Sequence, residues 1–374
     1  MKIGFDAKRA LNNATGLGNH ARILLNALMR DFPEHEYHLF SPKAQDEFFH
    51  QLHGNFKLHF PETKFQKAFH SLWRSFGIKS SLLNKRIDVY HGLSNEIPFG
   101  RLLPGIRKVV TIHDLIFLKH KAQYPFFDRQ IYELKTRYAA KHADHIIAVS
   151  QETKRDLIEF YKVPEKKITV IYPSVDTAFQ APVIGHRSSI VTQKYNLPRE
   201  YILNVGSFFP RKNQQTLIEA FDRIKDKIEE DLVLAGNSGS NRKEIEQLIA
   251  DKNLQQRVRI VSNISNEDLP SVYQAASVFV FPSLFEGFGA PVLEALFSKI
   301  PVITTKDNAI EEAAGKSSLL VNPLSAEDIA EKILLVLKYE NLRSKMVAEG
   351  YVHAQTMTDK IFAEKVMRVY KALE

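Results

Sequence analysis

The chain has 374 residues, 44% of them hydrophobic and 25% charged, with a formal net charge of +8 and no cysteine. Its length exceeds one ordinary core and predicts two domains, at roughly 150 residues each as a prior. The missing cysteines exclude disulfides, thiolate zinc sites and cysteine nucleophiles, and no apolar run approaches the roughly 18–20 residues of a membrane span.

The amino terminus, Met1-Lys2-Ile3-Gly4-Phe5-Asp6, carries a strand over Lys2–Phe5 in place of an apolar leader, so a cytosolic protein is expected. Thr15-Gly16-Leu17-Gly18-Asn19-His20-Ala21 then leads into a helical run, Ala21–Met29. Gly16 to Ala21 spells G-x-G-x-x-A, the dinucleotide fingerprint, but its context fails. The whole segment Ala7–Thr15 separates it from the first strand, and Ser41-Pro42 stands where an acidic residue should close the second strand, Tyr37–Phe40. A nicotinamide enzyme is therefore not expected. What survives is a flexible glycine loop feeding a helix start that favours an anion, with a plain unliganded loop as the alternative.

Lys64–Arg86 mixes Phe65, Phe69, Leu72, Trp73 and Phe76 with Lys64, Lys67, Arg74, Lys79, Lys85 and Arg86. Such a stretch either lies on an anionic membrane surface or packs its aromatic stripe on the sheet. Strands follow at Val89–Gly92, Lys108–His113, His145–Val149 and Ile168–Ile171, with His113 at a strand end. Pro173–Glu200, with Pro173, Pro182, Gly185, Pro198 and Ser188-Ser189, has no periodicity and reads as a linker. A second strand series covers Tyr201–Val205, Leu232–Ala235, Val258–Val261, Val278–Phe281, Pro301–Thr304 and Leu319–Val321. Helical patterns at Asn213–Lys225, Asn241–Lys252 and Ala326–Leu337 alternate with these strands, the signature of βαβ units and parallel sheets.

The charge divides unevenly between the series. Residues 1–187 hold 28 Lys and Arg against 18 Asp and Glu, whereas residues 188–374 hold 23 against 25. A basic half implies either an anionic partner or a solubilising surface excess. No aromatic-basic motif for nucleic acid accompanies it, so no nucleic-acid partner is expected.

Two stretches of the second half carry chemistry. Val205-Gly206-Ser207-Phe208-Phe209-Pro210-Arg211-Lys212-Asn213 places two cations after a strand, where they suit a diphosphate or form a solvated turn. Phe281-Pro282-Ser283-Leu284-Phe285-Glu286-Gly287-Phe288-Gly289-Ala290-Pro291-Val292-Leu293-Glu294 runs from a strand through a glycine turn into a helix that Pro291 helps to start. Backbone N–H groups of Phe288, Gly289 and Ala290 are expected to point outward. Glu294 is placed in the first helical turn, where the dipole would keep it ionised and able to accept both hydroxyls of a ribose. A glycoside hydrolase could use two carboxylates, but it needs no cation pair beside them.

Together these segments resemble the retaining GT-B glycosyltransferases, in particular glycosyltransferase family 4, over nearly the whole chain. The Glu-x7-Glu element from Glu286 to Glu294, with Gly287-Phe288-Gly289 inside it, is the most specific likeness. Thr15-Gly16-Leu17-Gly18, Thr111-Ile112-His113-Asp114-Leu115, Ala148-Val149-Ser150, Val205-Gly206 and Pro210-Arg211-Lys212-Asn213 support it. The resemblance implies an α/β fold of two Rossmann-like, doubly wound domains facing across a cleft. Residues 1–180 would form the acceptor side, residues 190–355 would bind the nucleotide sugar, and a terminal helix near 356–374 would pack back on the first domain.

By position, Glu294 would bind the donor ribose and Glu286 a donor sugar hydroxyl. Phe288, Gly289 and Ala290 would offer amides to phosphate and sugar. Lys212 with Arg211 would neutralise the diphosphate, His113 would hydrogen-bond the transferred sugar, and Gly16 and Gly18 would shape the phosphate and acceptor side. Many members carry Arg immediately after the glycine matching Gly206; here Ser207 stands there, and the resemblance implies that Arg211 would take its place. No Asp-x-Asp occurs, so no metal or other cofactor is expected beyond the nucleoside diphosphate sugar itself. The resemblance implies transfer of a hexose from a nucleoside diphosphate sugar, and within the family the Pro-Arg-Lys-Asn branch leans towards mannose from GDP-mannose. The acceptor would be a glycan or a lipid-linked one in cell-surface polysaccharide synthesis, at the inner face of the membrane. A sugar-nucleotide epimerase on the same fold and a non-catalytic nucleic-acid-binding protein are the rival readings.

Overall fold

A computed structural model describes residues 1–100, 105–121, 124–181 and 185–374. The chain divides into two compact units, Met1–Ser174 with Met357–Glu374, and Val175–Thr356. Each is built on one parallel sheet. All twelve expected strands form, with boundaries within one residue, and a thirteenth, Lys57–His59, joins the edge of the first sheet.

The first sheet comprises β1 (Lys2–Asp6), β2 (Glu36–Phe40), β3 (Lys57–His59), β4 (Val89–Gly92), β5 (Arg107–Ile112), β6 (His145–Ala148) and β7 (Ile168–Val170), ordered β3-β2-β1-β4-β5-β6-β7. The second comprises β8 (Tyr201–Val205), β9 (Asp231–Ala235), β10 (Val258–Val261), β11 (Val278–Phe281), β12 (Val302–Thr305) and β13 (Leu319–Val321), ordered β10-β9-β8-β11-β12-β13. Central strands such as Val278–Phe281 are buried along their whole length, because helices cover both faces and the run must be continuously apolar. Both sheets reverse winding beside their first strand, at β1/β4 and at β8/β11. Open parallel sheets bind ligands outside the strand carboxyl ends at such a switch point.

Three expectations need correction. Gly16–Asp31 is one helix, so Gly16 and Gly18 lie in its first turn and not in a flexible loop. Arg22 explains the early start: its guanidinium donates to the carbonyls of Ala10 and Asn13 at 2.8 and 3.0 Å and ties the preceding turn to the helix. The proposed linker carries two helices, Thr177–Gln180 and Gly185–Lys194, while its Pro182 lies outside the described residues.

Lys64–Arg86 packs on the sheet through only part of its aromatic stripe. Trp73, Ile78 and Leu82 pack with Phe40, Ile87 and Tyr90, and Arg74 is buried in ion pairs. Phe69, Leu72 and Phe76 remain half exposed, and the side chain of Phe65 lies outside the described residues.

The carboxyl-terminal helix Asp359–Lys371 belongs to the first unit. Phe362, Val366, Met367 and Tyr370 join the core made by β1, β2 and the helix Gly16–Asp31. Tyr370 OH also meets His91 Nδ1 at 2.5 Å, and Arg30 pairs with Asp359 at 2.6 Å.

Candidate active site

In the second unit the loop after β8 turns as a short 3-10 segment, Pro210–Lys212, and Asn213 ends it in the left-handed region at φ 59°. The Asn213 side chain donates to the carbonyls of Pro282 and Pro323, stapling this loop to the one after β11. The two loops that follow the strands at the switch point are thereby held together.

Their side chains meet at one carboxylate. Glu286 Oε1 accepts from Arg211 Nη1 at 2.5 Å, from Lys212 Nζ at 2.5 Å and from Ser283 Oγ at 2.8 Å. Glu286 Oε2 accepts from no donor among the described residues, so the group is anchored through one oxygen and presents the other. Burial alone would raise the Glu286 pKa, but the charges and hydrogen bonds of Lys212 and Arg211 outweigh it and hold the carboxyl at about 2. Burial pulls Lys212 below its ordinary value, against the attraction of Glu286. Its stem packs on Gly206, where a Cβ would stand 3.7 Å from Lys212 Cδ, and its ammonium lies 4.9 Å from the Phe281 ring centroid.

Glu294 does not behave as expected. The helix is Ala290–Phe297, which puts Glu294 in the second turn, beyond the strongest reach of the dipole. Burial pushes its carboxyl up to about 7, and the charge of Asp176 adds to this, against the Tyr273 hydrogen bond and the charge of Lys212. Tyr273 OH donates to Glu294 Oε2 at 2.7 Å. Gly289 precedes the helix at φ 103°, a conformation that only glycine adopts readily. The N–H groups of Gly289 and Ala290 meet no acceptor among the described residues, as the geometry of a helix start requires. Phe288 is buried, and Ser207 is half-buried, its carbonyl taking the Gln214 amide at 3.3 Å.

In the first unit His113 follows β5. Its Nε2 lies 2.9 Å from the Leu93 carbonyl, which can only accept, so the proton sits on Nε2 and Nδ1 is left as an acceptor. Burial lowers its pKa to about 4. The neutral ring is packed edge-to-face against His20, centroids 4.6 Å apart.

Gly16 and Gly18 differ sharply. A Cβ on Gly18 would lie 1.9 Å from the Asn13 carbonyl oxygen, whereas one on Gly16 would meet nothing within 4 Å. Gly18→Ala is therefore expected to cost about 1–3 kcal/mol. Gly16→Ala should leave stability unchanged or raise it by up to about 1 kcal/mol, since alanine favours the helix. Urea unfolding of both variants checks this; equal midpoints would refute the packing account.

The structure thus brings together Arg211, Lys212 and Glu286, with Glu294 close enough to influence Lys212 electrostatically. Gly16, Gly18 and His113 lie in the other unit. Sequence reasoning gave no role to Ser283 or Asn213, although both stand in the stretches it singled out, and missed Tyr273 and Asp176 altogether. Ser283 stands three residues before Glu286, a spacing that could have flagged it. Tyr273 sits in an apolar helix and gives no such signal. Among the described residues no group of three His, Asp or Glu is placed to hold a metal ion, and no helix is long and apolar enough to cross a membrane.

Comparisons with known proteins agree on both halves of the chain. Residues 190–353 match the glycosyl transferases group 1, and residues 14–179 match glycosyltransferase family 4. The chain is 28% identical over 290 residues to the O-antigen chain mannosyltransferase B of Escherichia coli, covering 76% of this chain and 74% of that protein. It is 27% identical over 278 residues to the serotype-specific mannosyltransferase WbdA of Escherichia coli, but spans only 34% of that longer protein. Among solved structures it resembles Anabaena Alr3699/HepE in complex with UDP and glucose, with a TM-score of 0.77, 17% identity and full coverage of both chains.

Proposed function

Because the chain belongs to the group 1 glycosyl transferases of glycosyltransferase family 4 and has the GT-B fold, we propose that it moves mannose from a nucleoside diphosphate sugar to a glycan acceptor with retention of configuration. The observation that carries this is the Glu286 cluster: two cations and one carboxylate at the carboxyl ends of β8 and β11, with one carboxylate oxygen open. In the reaction the bond from the sugar's anomeric carbon to the diphosphate breaks and one to an acceptor oxygen forms. The negative charge develops on the leaving diphosphate, and its departing oxygen takes the proton that the acceptor hydroxyl loses.

Arg211 and Lys212 supply fixed positive charge for that leaving group, and the N–H groups of Gly289 and Ala290 add donors. Glu286 Oε2 accepts a sugar hydroxyl, Glu294 takes the ribose, and His113 Nδ1 accepts a further hydroxyl of the transferred sugar. The mannosyltransferase names of the relatives support the choice of sugar. The test is incubation with GDP-mannose, UDP-glucose and their nucleotides, read first by thermal shift and then by NMR of the glycoside formed. GDP-mannose should bind, and the product should keep the donor's anomeric configuration. An inverted product would sink the retaining reading, and a sugar altered without any acceptor would favour an epimerase.

A membrane-bound acceptor has its own support. Beside the half-exposed Phe69, Leu72 and Phe76, the helix Phe126–His142 shows Phe127, Ile131 and Leu134 to solvent on one stripe, at 80, 51 and 63% exposure. Phe76 stacks on Phe99 and Phe99 packs on Tyr138, which joins the two elements into one surface. Co-sedimentation with vesicles is expected only when acidic lipid is present. Equal binding to neutral vesicles, or none to either, would remove the membrane reading.

A further inference from the structure

The first unit carries, at its own switch point, a charge cluster that the reading above leaves unused. Asp6 ends β1, Lys8 and Arg9 follow it, and Glu96 follows β4. Arg74 Nε donates to Asp6 Oδ2 at 2.8 Å, and Arg74 also pairs with Glu96. Lys135 Nζ lies 2.9 Å from Glu96 Oε2, and the backbone N–H of Lys8 takes Asp6 Oδ1 at 3.2 Å.

Both carboxylates are thereby committed to Arg74 and Lys135. The Lys8 ammonium and the Arg9 guanidinium are half-buried and meet no carboxylate among the described residues. Four cations face two carboxylates, and two positive charges stay unmatched. Burial is the first cause that lowers the Lys8 pKa, followed by repulsion from Arg74 and Arg9, and Lys135 is lowered by burial and then by Arg74; in both the attraction of Asp6 opposes the shift without cancelling it. Like charges held together out of water work against the fold unless an anion sits among them. Within the same unit, Arg9 is close enough to His113 to bear on its charge.

We propose that Lys8, Arg9 and Lys135 bind a phosphate ester carried by the acceptor substrate. The two unmatched charges suit a phosphate monoester, which carries about −1.5 to −2 at neutral pH. Arg9 offers a planar fork to two phosphate oxygens, and the lysines act as point charges. That the phosphate belongs to an acceptor rests on the transferase reading above; that phosphate binds at all does not.

The test titrates inorganic phosphate, followed by calorimetry, into the full-length wild type, a Lys8→Ala/Arg9→Ala double variant and Lys212→Met. The double variant is expected to bind phosphate at least tenfold more weakly, while Lys212→Met keeps the wild-type affinity for this site. In phosphate-free, low-salt buffer the double variant should melt no lower than the wild type, because repulsion is relieved. Unchanged phosphate affinity in the double variant overturns the proposal, as does loss of all phosphate binding in Lys212→Met alone.

A second arm identifies the source of the phosphate. If the double variant also loses affinity for vesicles containing phosphatidic acid, a lipid phosphate monoester, relative to wild type, the phosphate is a lipid's; if vesicle binding is unchanged, it belongs to a soluble ester. Nucleotide binding by the wild type is measured beside these, so failure of the transferase reading shows there and failure of the phosphate site shows in the double variant.

Discussion

Lys212→Met is expected to slow sugar transfer on the order of 100- to 1000-fold, the usual effect of deleting one preorganised donor from developing negative charge. Methionine keeps the stem that packs on Gly206 and Phe281 and removes only the ammonium. Glu286 would retain Arg211 and Ser283 as donors, so the carboxylate is not left without partners. The melting temperature should accordingly change little beside the loss of rate. Single-turnover kinetics at saturating donor isolate the chemical step. A rate within about threefold of wild type would mean that the buried ammonium only props Glu286 in place.

The second large effect concerns Glu294 and depends on pH. Its carboxyl titrates at about 7, raised from the ordinary 4.5 by burial. An ionised carboxylate can accept both ribose hydroxyls, whereas the protonated form gives up part of that capacity. Nucleotide affinity should therefore rise as pH climbs through 7 and level off near 8. Glu294→Gln should flatten this profile, costing roughly 10- to 100-fold in affinity at pH 8, the range expected from hydrogen bonds to a charged group. At pH 6 the variant and wild type should bind more nearly alike.

Stability without nucleotide runs the opposite way. Between about pH 4.5 and 7 the folded state holds a proton that the unfolded chain has released, so wild-type stability falls relative to Glu294→Gln as pH rises through that window. Urea midpoints measured at pH 5 and 8 for both proteins decide this. A parallel pair of profiles would show that Glu294 is ionised in the fold throughout.

Much of the architecture was readable because a parallel strand buried on both faces leaves a plain mark. Val278–Phe281 is an apolar run of limited length between punctuating residues, and Tyr201–Val205 is one interrupted only by Asn204. Lys57–His59 escaped notice because it is three residues long, half exposed and pairs on one side only. The glycines at 16 and 18 looked like loop because glycine disfavours helix. The deciding contact, Gly18 against the Asn13 carbonyl, is one that local propensity does not report.

The candidate site shows a similar split. The spacing of Arg211, Lys212, Glu286 and Glu294 marked the two loops, since each follows a strand that the pattern had located. Protonation went the other way. The helix dipole reading for Glu294 needed a first-turn position, but the helix begins at Ala290, and desolvation beside Tyr273 and Asp176 prevails. Tyr273 and Asp176 approach Glu294 from distant parts of the sequence, so only the folded unit reveals the balance.

The return of the helix Asp359–Lys371 to the first unit bears on how the protein is made. Phe362, Ala363, Val366, Met367, Val369 and Tyr370 finish a core whose other buried members lie before residue 175. During synthesis those members emerge from the ribosome long before their covering helix, and the entire second unit is translated in between. The half that is made first is thus the last to be sealed. Until then it keeps an apolar face open for a chaperone to shelter, and a premature stop near residue 356 would harm the fold of the unit translated before the one it follows.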